Sequence, residues 1–322
     1  MADRLFRFGV VAGMAGDADQ WIGLARHAED LGYATFLTPD TLNTLPPLLS
    51  LSAAAAATTS IGLGTFVLAA PYRRPAQLAW EVAGLSLLSG GRFELGLGAG
   101  RPHAREDAAR LGVPFGSPDQ RIRQLEDVIH QTRKWPGPSG PKITGPSGPT
   151  TSGPSGPKTT RPSGPTAEGL SEPKAMARRE ATAKEPGAAA GPAPRLLIAA
   201  SGARMMGFAA RNADTVALGL PASTPEDGLA EHVRLIRQAS DDFDGLELSA
   251  GLHVVGDEVP PWLVRQMGSD VPEDSIAVLR GTPRQMADRL LHRRDAHHIS
   301  YITVNAMYAD RLAPVVELLS RT

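Results

Sequence analysis

The segment from Ile61 to Gly100, IGLGTFVLAAPYRRPAQLAWEVAGLSLLSGGRFELGLGAG, decides the fold. Ile61 to Ala70 is an apolar run with β-branched residues and two glycines. It is too short to cross a membrane and reads as a strand buried on both faces. From Arg74 to Ser89, apolar residues recur at Leu78, Val82, Leu85 and Leu88. Pro75 falls in the first turn and Gly90-Gly91 just past the end, so this is helix period with a start and a stop. Arg92 to Gly98 is a second apolar run, ending in the glycine-rich GLGAG. Strand, helix, strand with a short return is a βαβ unit, whose strands lie parallel. In such sheets ligands gather at the C-terminal ends of the strands, here Thr65 to Ala70 and Gly96 to Arg101.

The same alternation extends in both directions. Upstream, Phe6 to Met14 and Ala34 to Leu37 read as strands and Asp17 to Leu31 as an amphipathic helix with Asp17 as its N-cap. Pro46 to Thr59 reads as a small-residue helix leading into Ile61, and Asp119 to Trp135 as a longer one with Ile122, Leu125, Val128, Ile129 and Thr132 on its apolar stripe. Downstream, strands are expected at Arg195 to Ser201, Thr215 to Leu218, Leu246 to Val255 and Tyr301 to Asn305. Helices are expected at Gly202 to Asn212, at Thr224 to Ser240 with Thr224 as cap, from Pro283 through Arg294, and at Tyr308 to Leu319. Eight strand candidates alternate with helices, the pattern of an α/β (β/α)8 TIM barrel. A doubly wound open sheet is the competing architecture, but no G-x-G-x-x-G follows the first strand.

Composition breaks this pattern once. From Pro136 to Pro192 almost nothing could form a core, and PSGP recurs every eight residues at Pro138, Pro146, Pro154 and Pro162. Such a tract is expected to be disordered with extended polyproline character, its part from Glu172 to Glu185 flickering as helix. It reads as a surface insertion, with a partner-docking segment as the alternative. The expected organisation is a first half-barrel at 1–135, the insertion at 136–192 between the fourth and fifth βα units, and a second half-barrel at 193–322. The formal net charge of −1 gives no electrostatic case for nucleic acid or an anionic membrane. The absence of cysteine excludes disulfide and thiolate chemistry. With no long apolar run, a soluble, cytoplasmic protein is expected.

Several stretches together resemble the bacterial luciferase-like monooxygenase family, especially its branch that uses the deazaflavin coenzyme F-420. They are AEDLGYATFLTPD (Ala28 to Asp40), TTSIGLGTFVLAAPYRRPAQLA (Thr58 to Ala79), LLSGGRFELGLGAG (Leu87 to Gly100), LLIAASG (Leu196 to Gly202), RNADTV (Arg211 to Val216) and GTPRQMADRL (Gly281 to Leu290). The resemblance implies a barrel holding F-420, or alternatively FMN, at its C-terminal mouth. It places Thr65, Phe66 and Val67 under the ring, where family members commonly have a non-proline cis peptide. It places Gly98, Ala99 and Gly100 where backbone and ring approach closely. Ser201, Gly202 and Ala203 present free helix N–H groups, with Arg204 beside them, to a cofactor phosphate.

The departures from the family pattern bear on the chemistry. Asp40 is followed by Thr41 where a histidine is frequent, Leu85 by Ser86 where an aspartate is frequent, and GLGAG by Arg101-Pro102-His103. The insertion is expected near the mouth, where relatives carry a small hairpin. The catalytic candidates are therefore Asp40, orienting ring or substrate, Arg101, anchoring substrate, and His103, donating a proton. His253 reads as a core histidine and His297-His298 as surface residues at a helix end. No metal-ligand spacing is present. The implied function is hydride transfer between F-420 and a C=N, C=C or C=O bond of a small-molecule substrate. An FMN-dependent monooxygenase or a non-catalytic flavin-binding barrel are the alternatives. Neither nucleic acid nor membrane is an expected partner, and a homodimer is left open as the assembly.

Overall fold

In the computed structural model, residues 4–101, 104–135, 137, 193–261, 263–264 and 272–320 are described. The Pro-rich tract and His103 lie outside the described residues.

Eight parallel staves close into a barrel. They are β1 (Arg7–Val11), β2 (Thr35–Thr38), β3 (Gly62–Thr65) continued by β4 (Leu68–Ala69), β5 (Phe93–Gly98), β6 (Arg195–Ala200), β7 (Thr215–Leu218), β8 (Glu247–Leu252) and β11 (Ile299–Asn305). Each pairs with the next in that order, and β11 returns to β1 with Arg7 opposite Tyr301 and Val11 opposite Asn305. Two short pieces, β9 (Val254–Val255) and β10 (Val278–Leu279), pair with each other outside the barrel. The sequence pattern does not announce β10. Among the described residues, no helix is long and apolar enough to cross a membrane.

The staves read as apolar runs because each is covered on both sides. Phe8, Val10, Phe36, Leu63, Leu95 and Ile198 face outward and are buried against the helices. The outer layer includes α1 (Ala18–Asp30), α2 (Pro47–Ala57), α3 (Pro75–Leu88), α5 (Pro118–Lys134), α6 (Ala203–Asn212) and α7 (Leu229–Ala239), with α4 (Ala104–Arg110) in the connection after β5. Helices at Pro283–His297 and Ala309–Leu319 complete the chain. Asp17 caps α1 by accepting from the Gln20 amide at 2.8 Å. Thr282 and Ser117 each form a capping box with the glutamine three residues on.

Inside the barrel, the strand starts carry a polar plug. Arg7 donates to Glu94 at 2.8 Å and to Glu247 at 2.6 Å, while Glu247 also accepts from Thr215 at 2.8 Å and Arg195 at 3.3 Å. The Tyr301 ring lies under the Arg7 guanidinium, 4.3 Å from its centroid, and the Tyr301 hydroxyl pairs with Thr35 at 2.5 Å. Burial works against the charge on Arg7, but Glu94 and Glu247 outweigh it and hold the guanidinium protonated more firmly than usual. Burial chiefly raises the Tyr301 phenol well above its ordinary value. This plug lies at the face of the barrel opposite the C-terminal ends of the strands.

Four expectations need correction. Ile61 to Ala70 is not one strand but two, broken at Phe66 and Val67. Leu88 is 72% exposed, because the buried face of α3 runs through Leu78, Val82 and Leu85 and then reaches Ser89 instead. Trp80 and Leu87 are exposed with Leu88, so the outward face of α3 carries large apolar side chains beside the Gln77–Glu81 pair. Thr224 does not cap a helix: Glu226–Gly228 form a 3-10 turn and α7 begins only at Leu229. The Glu226 amide is drawn to the Asp274 carbonyl at 3.0 Å and its carboxylate to Arg289 at 2.7 Å and to Arg293, which holds the turn out of the helix. Finally, the insertion does not leave the barrel at its mouth. It follows the end of α5 and precedes the start of β6, and both flanks lie at the strand-start face, where Arg133 of α5 donates to the Asn212 carbonyl at the end of α6.

Candidate functional site

The break between β3 and β4 shapes the mouth. β3 pairs with β5 only through Leu63 and Gly64, and pairing resumes at Leu68 and Ala69, opposite Leu97 and Gly98. Between them the Phe66–Val67 peptide is cis, at the position the resemblance implies. Thr65 closes the gap with its side chain. Its hydroxyl donates to the Gly96 carbonyl at 2.8 Å and accepts from the Gly96 amide at 2.9 Å, replacing two ladder bonds. The Thr65 carbonyl occupies the space a side chain at Gly96 would need: a Cβ there would lie 1.8 Å from it. Glycine at this position thus serves the packing of two staves. Thr65 is buried and supports the site from behind, whereas Phe66 and Val67 are half-buried and line it.

With Val11 and Ala199, also half-buried, Phe66 and Val67 pack over a buried cluster of Leu37, Leu197, Ala217 and Tyr301. The result is an apolar floor across the upper barrel, open above and filled below. Gly98 faces the same interior, where an added Cβ would meet the Val67 side chain at 3.0 Å.

Asp40 stands at the rim just after β2, with its side chain 8% exposed. Arg73 donates to both of its oxygens, at 2.5 and 2.9 Å, and the Ala69 amide donates at 2.9 Å. Asp40 is therefore a positioning anion whose oxygens are occupied. It ties the end of β2 to the segment after β4. Asp40 stands out in the sequence by its place at the end of a buried strand, whereas Arg73 does not. The signal was available, because Arg73, Arg74 and Glu81 are the only charged residues between Thr41 and Gly91. Tyr72, beside them, donates to the Ala104 carbonyl at 3.1 Å. Its phenol is pushed up to about 12 by burial first and by Asp107 and Asp40 second, with Arg101 and Arg73 pulling the other way.

Arg101 is exposed at the end of GLGAG, and its carbonyl accepts from the Ala104 amide at 2.9 Å, opening α4. Gly100 packs against Phe115, and the Arg121 guanidinium lies 4.4 Å from the centroid of that ring. Arg121 also donates to the Ala99 carbonyl at 2.9 Å, fixing the loop that carries Ala99, Gly100 and Arg101. Phe115 and Arg121 went unremarked in the sequence because their partners lie across the loop.

Across β5 from that loop, β6 leads into α6. Ser201, Gly202, Ala203 and Arg204 are all exposed, and Gly202, at φ +79°, has no side-chain cap. The first-turn N–H groups of α6 thus point outward at the mouth without a capping side chain. Arg204 is not a free cation beside them: it pairs with Asp119, in the first turn of α5.

An apolar floor with glycine beside it and an uncapped helix N-terminus on one wall match the two ends of a flavin or deazaflavin nucleotide. The floor suits the planar ring and the helix end its phosphate. Val67, Phe66, Ala199 and Gly98 would hold the first, and Gly202 and Ala203 the second.

Comparison with known proteins places the chain by its sequence and fold. 4-Hydroxyprotoasukamycin monooxygenase of Streptomyces nodosus subsp. asukaensis is 34% identical over 116 residues, which are 36% of this chain and 28% of that protein. An uncharacterized protein of Mycobacterium tuberculosis is 28% identical over 133 residues, 34% of this chain and 46% of that protein. The matched region is thus less than half the length of either relative. Among solved structures, the coenzyme F-420 dependent tetrahydromethanopterin reductase of Methanopyrus kandleri superposes with a TM-score of 0.65 at 17% identity, covering 98% of both chains. The oxygenating constituent of 3,6-diketocamphane monooxygenase of Pseudomonas putida, in complex with FMN, gives 0.64 at 17% identity, covering 98% of this chain and 95% of that one. These two structures share its fold. The family model described as luciferase-like monooxygenase matches residues 5–266, and the chain belongs to that family.

Proposed function

We propose that the chain is an oxidoreductase that binds coenzyme F-420 at the barrel mouth and transfers a hydride to or from a C=N, C=C or C=O bond of a small organic substrate. The observation that carries this reading is the pairing of a half-buried apolar floor with the uncapped N-terminus of α6 in one mouth. When bound, the cofactor supplies the hydride chemistry. The chain's own residues orient and enclose it. Val67 and Phe66 support the ring, and Gly202 and Ala203 offer N–H groups to an anion. Asp40, through Arg73, fixes the rim, and Arg101 offers an exposed cation to a substrate's negative group.

FMN with oxygen chemistry is the second reading, favoured by the 34% identity to a monooxygenase over the matched segment. Separate titrations of the full chain with oxidised F-420 and with FMN, followed by fluorescence, decide between the two. F-420 is expected to saturate at the lower concentration. Saturation by FMN without binding of F-420 reverses the cofactor assignment, and absence of binding by both removes the functional reading.

A further inference from the structure

A glycine in a barrel stave omits a side chain, and in a close-packed interior a neighbour normally takes up the space. Six glycines lie in the staves: Gly9 in β1, Gly62 and Gly64 in β3, Gly96 and Gly98 in β5, and Gly251 in β8. A Cβ built on any of the first five would lie 3.0 Å or less from another residue. Gly9 makes way for Thr35, Gly62 for the Ala34 carbonyl, Gly64 for Leu37, Gly96 for the Thr65 carbonyl and Gly98 for Val67. Gly251 differs. The nearest atom to its Cβ position is Thr303 Oγ1 at 3.4 Å, then the His253 ring at 3.9 Å, both at ordinary van der Waals distance. A methyl group fits there, so packing does not account for this glycine.

The space beside Gly251 is on the interior side of the wall. Along β8, Glu247 faces the barrel axis, where it meets Arg7, whereas Leu248, Ala250 and Leu252 are buried in the outer core. Ser249 and Gly251 therefore share the inward face with Glu247, and Gly251 stands nearest the mouth. Because Ala250 and Leu252 are covered, the accessible part of half-buried Gly251 lies toward the interior. On the next stave, Thr303 is in register with Gly251 and Tyr301 with Ser249. Ser249, one step below, is fully buried, and its hydroxyl has no hydrogen-bond partner among the described residues. The recess is thus bordered by the Thr303 hydroxyl and underlain by a residue with hydrogen-bonding capacity to spare. β8 is the seventh of the eight staves and stands across the barrel from the third, which carries Phe66 and Val67. A flat ring resting on that floor turns one edge toward Gly251.

We propose that this recess receives the hydrogen-bonding edge of the bound ring, and that Gly251 is the position that admits it. The inference rests on the oxidoreductase reading above. Flavins and deazaflavins share one such edge, a pyrimidinedione with two carbonyl oxygens and a ring N–H. Seated beside Gly251, that edge meets the Thr303 hydroxyl, which donates to a carbonyl or accepts from the N–H. A side chain at position 251 takes the room the edge needs.

Fluorescence titration of the full chain with oxidised FMN and, separately, with oxidised F-420 tests the proposal. Gly251→Ala is expected to keep the wild-type melting temperature, because its Cβ meets nothing closer than 3.4 Å and its φ is outside the left-handed region. Its affinity for whichever probe binds wild type is expected to fall roughly tenfold, the effect of overfilling a fitted site. Thr303→Val keeps the side-chain shape without the hydroxyl and is expected to weaken binding several-fold, with Thr303→Ala in its place where the valine variant does not fold. Wild-type affinity in folded Gly251→Ala overturns the proposal. A fall of many degrees in its melting temperature does so too, since the space would then belong to packing. Weaker binding by Gly251→Ala with unaltered binding by the Thr303 variant shows that another edge of the ring occupies the recess, contrary to the proposal. Failure of both probes to bind wild type overturns the oxidoreductase reading, and the inference falls with it.

Discussion

Asp40 and Arg73 are separated by 33 residues, and their pairing explains why a lone aspartate at the end of β2 was readable while its role was not. The sequence places Asp40 at the ligand end of a buried strand. Which donors reach it depends on how far the chain after β4 folds back, which no local pattern states. A bidentate guanidinium holding a nearly buried carboxylate is difficult to replace, because removing it leaves an uncompensated charge. Arg73→Ala should therefore destabilise the fold by about 2–3 kcal/mol in urea denaturation, below the usual figure for a fully buried pair because part of Arg73 faces solvent. Arg73→Lys should recover only part of that loss, since an ammonium cannot make the two parallel bonds. Equal stability of all three proteins would show that Asp40 is satisfied without Arg73.

Helix ends show both how far local reading reaches and where it stops. Asp17 and Thr282 cap their helices as their sequence contexts suggest, because a cap needs only residues within one turn. Thr224 looks equally suitable, yet Glu226 is claimed by Arg289 and Arg293 from a distant helix, and the local preference loses. At α6 the sequence foretold the free N-terminus but not the contact of Arg204 with Asp119. That contact directs attention from the arginine to the backbone. Ala203 is the first residue of α6, where proline is tolerated because its missing N–H has no helical partner. The preceding Gly202 has ψ +157°, within the range that proline requires of its neighbour, at a φ of +79° that glycine takes without strain. Ala203→Pro should thus leave the melting temperature nearly unchanged while removing one donor from the anion site. Loss of one hydrogen bond to a charged group corresponds to roughly a tenfold weaker affinity. Fluorescence titration with whichever of F-420 or FMN binds wild type reads the change. An unaltered affinity in the folded variant would place the phosphate elsewhere.

At the scale of the whole molecule, the barrel was legible because its staves are buried on both faces and its helices carry ordinary stops, so alternation alone suffices to count them. The interruption at Phe66 and Val67 was hidden inside an apolar run, since both halves of the stave have the same composition. The polar plug was equally hidden: Arg7, Glu94, Arg195 and Glu247 are single charges at strand starts and meet only when the sheet closes. The Pro-rich tract stood out by composition, but its face of attachment follows from connectivity, because a segment between a helix and the next strand joins the barrel at the strand starts. This has a consequence for function. If Pro136 to Pro192 were a cover for the mouth, replacing it would weaken cofactor binding; with both flanks on the plugged face, it should not. Substituting those residues with a Gly/Ser linker of about eight residues shortens the loop, which by closure entropy favours the folded state by roughly 2 kcal/mol at most. The melting temperature should therefore stay the same or rise slightly, and the affinity for F-420 or FMN should match wild type. A fall of many degrees would show that the tract packs on the barrel. Weakened binding at unchanged stability would show that it reaches the mouth after all.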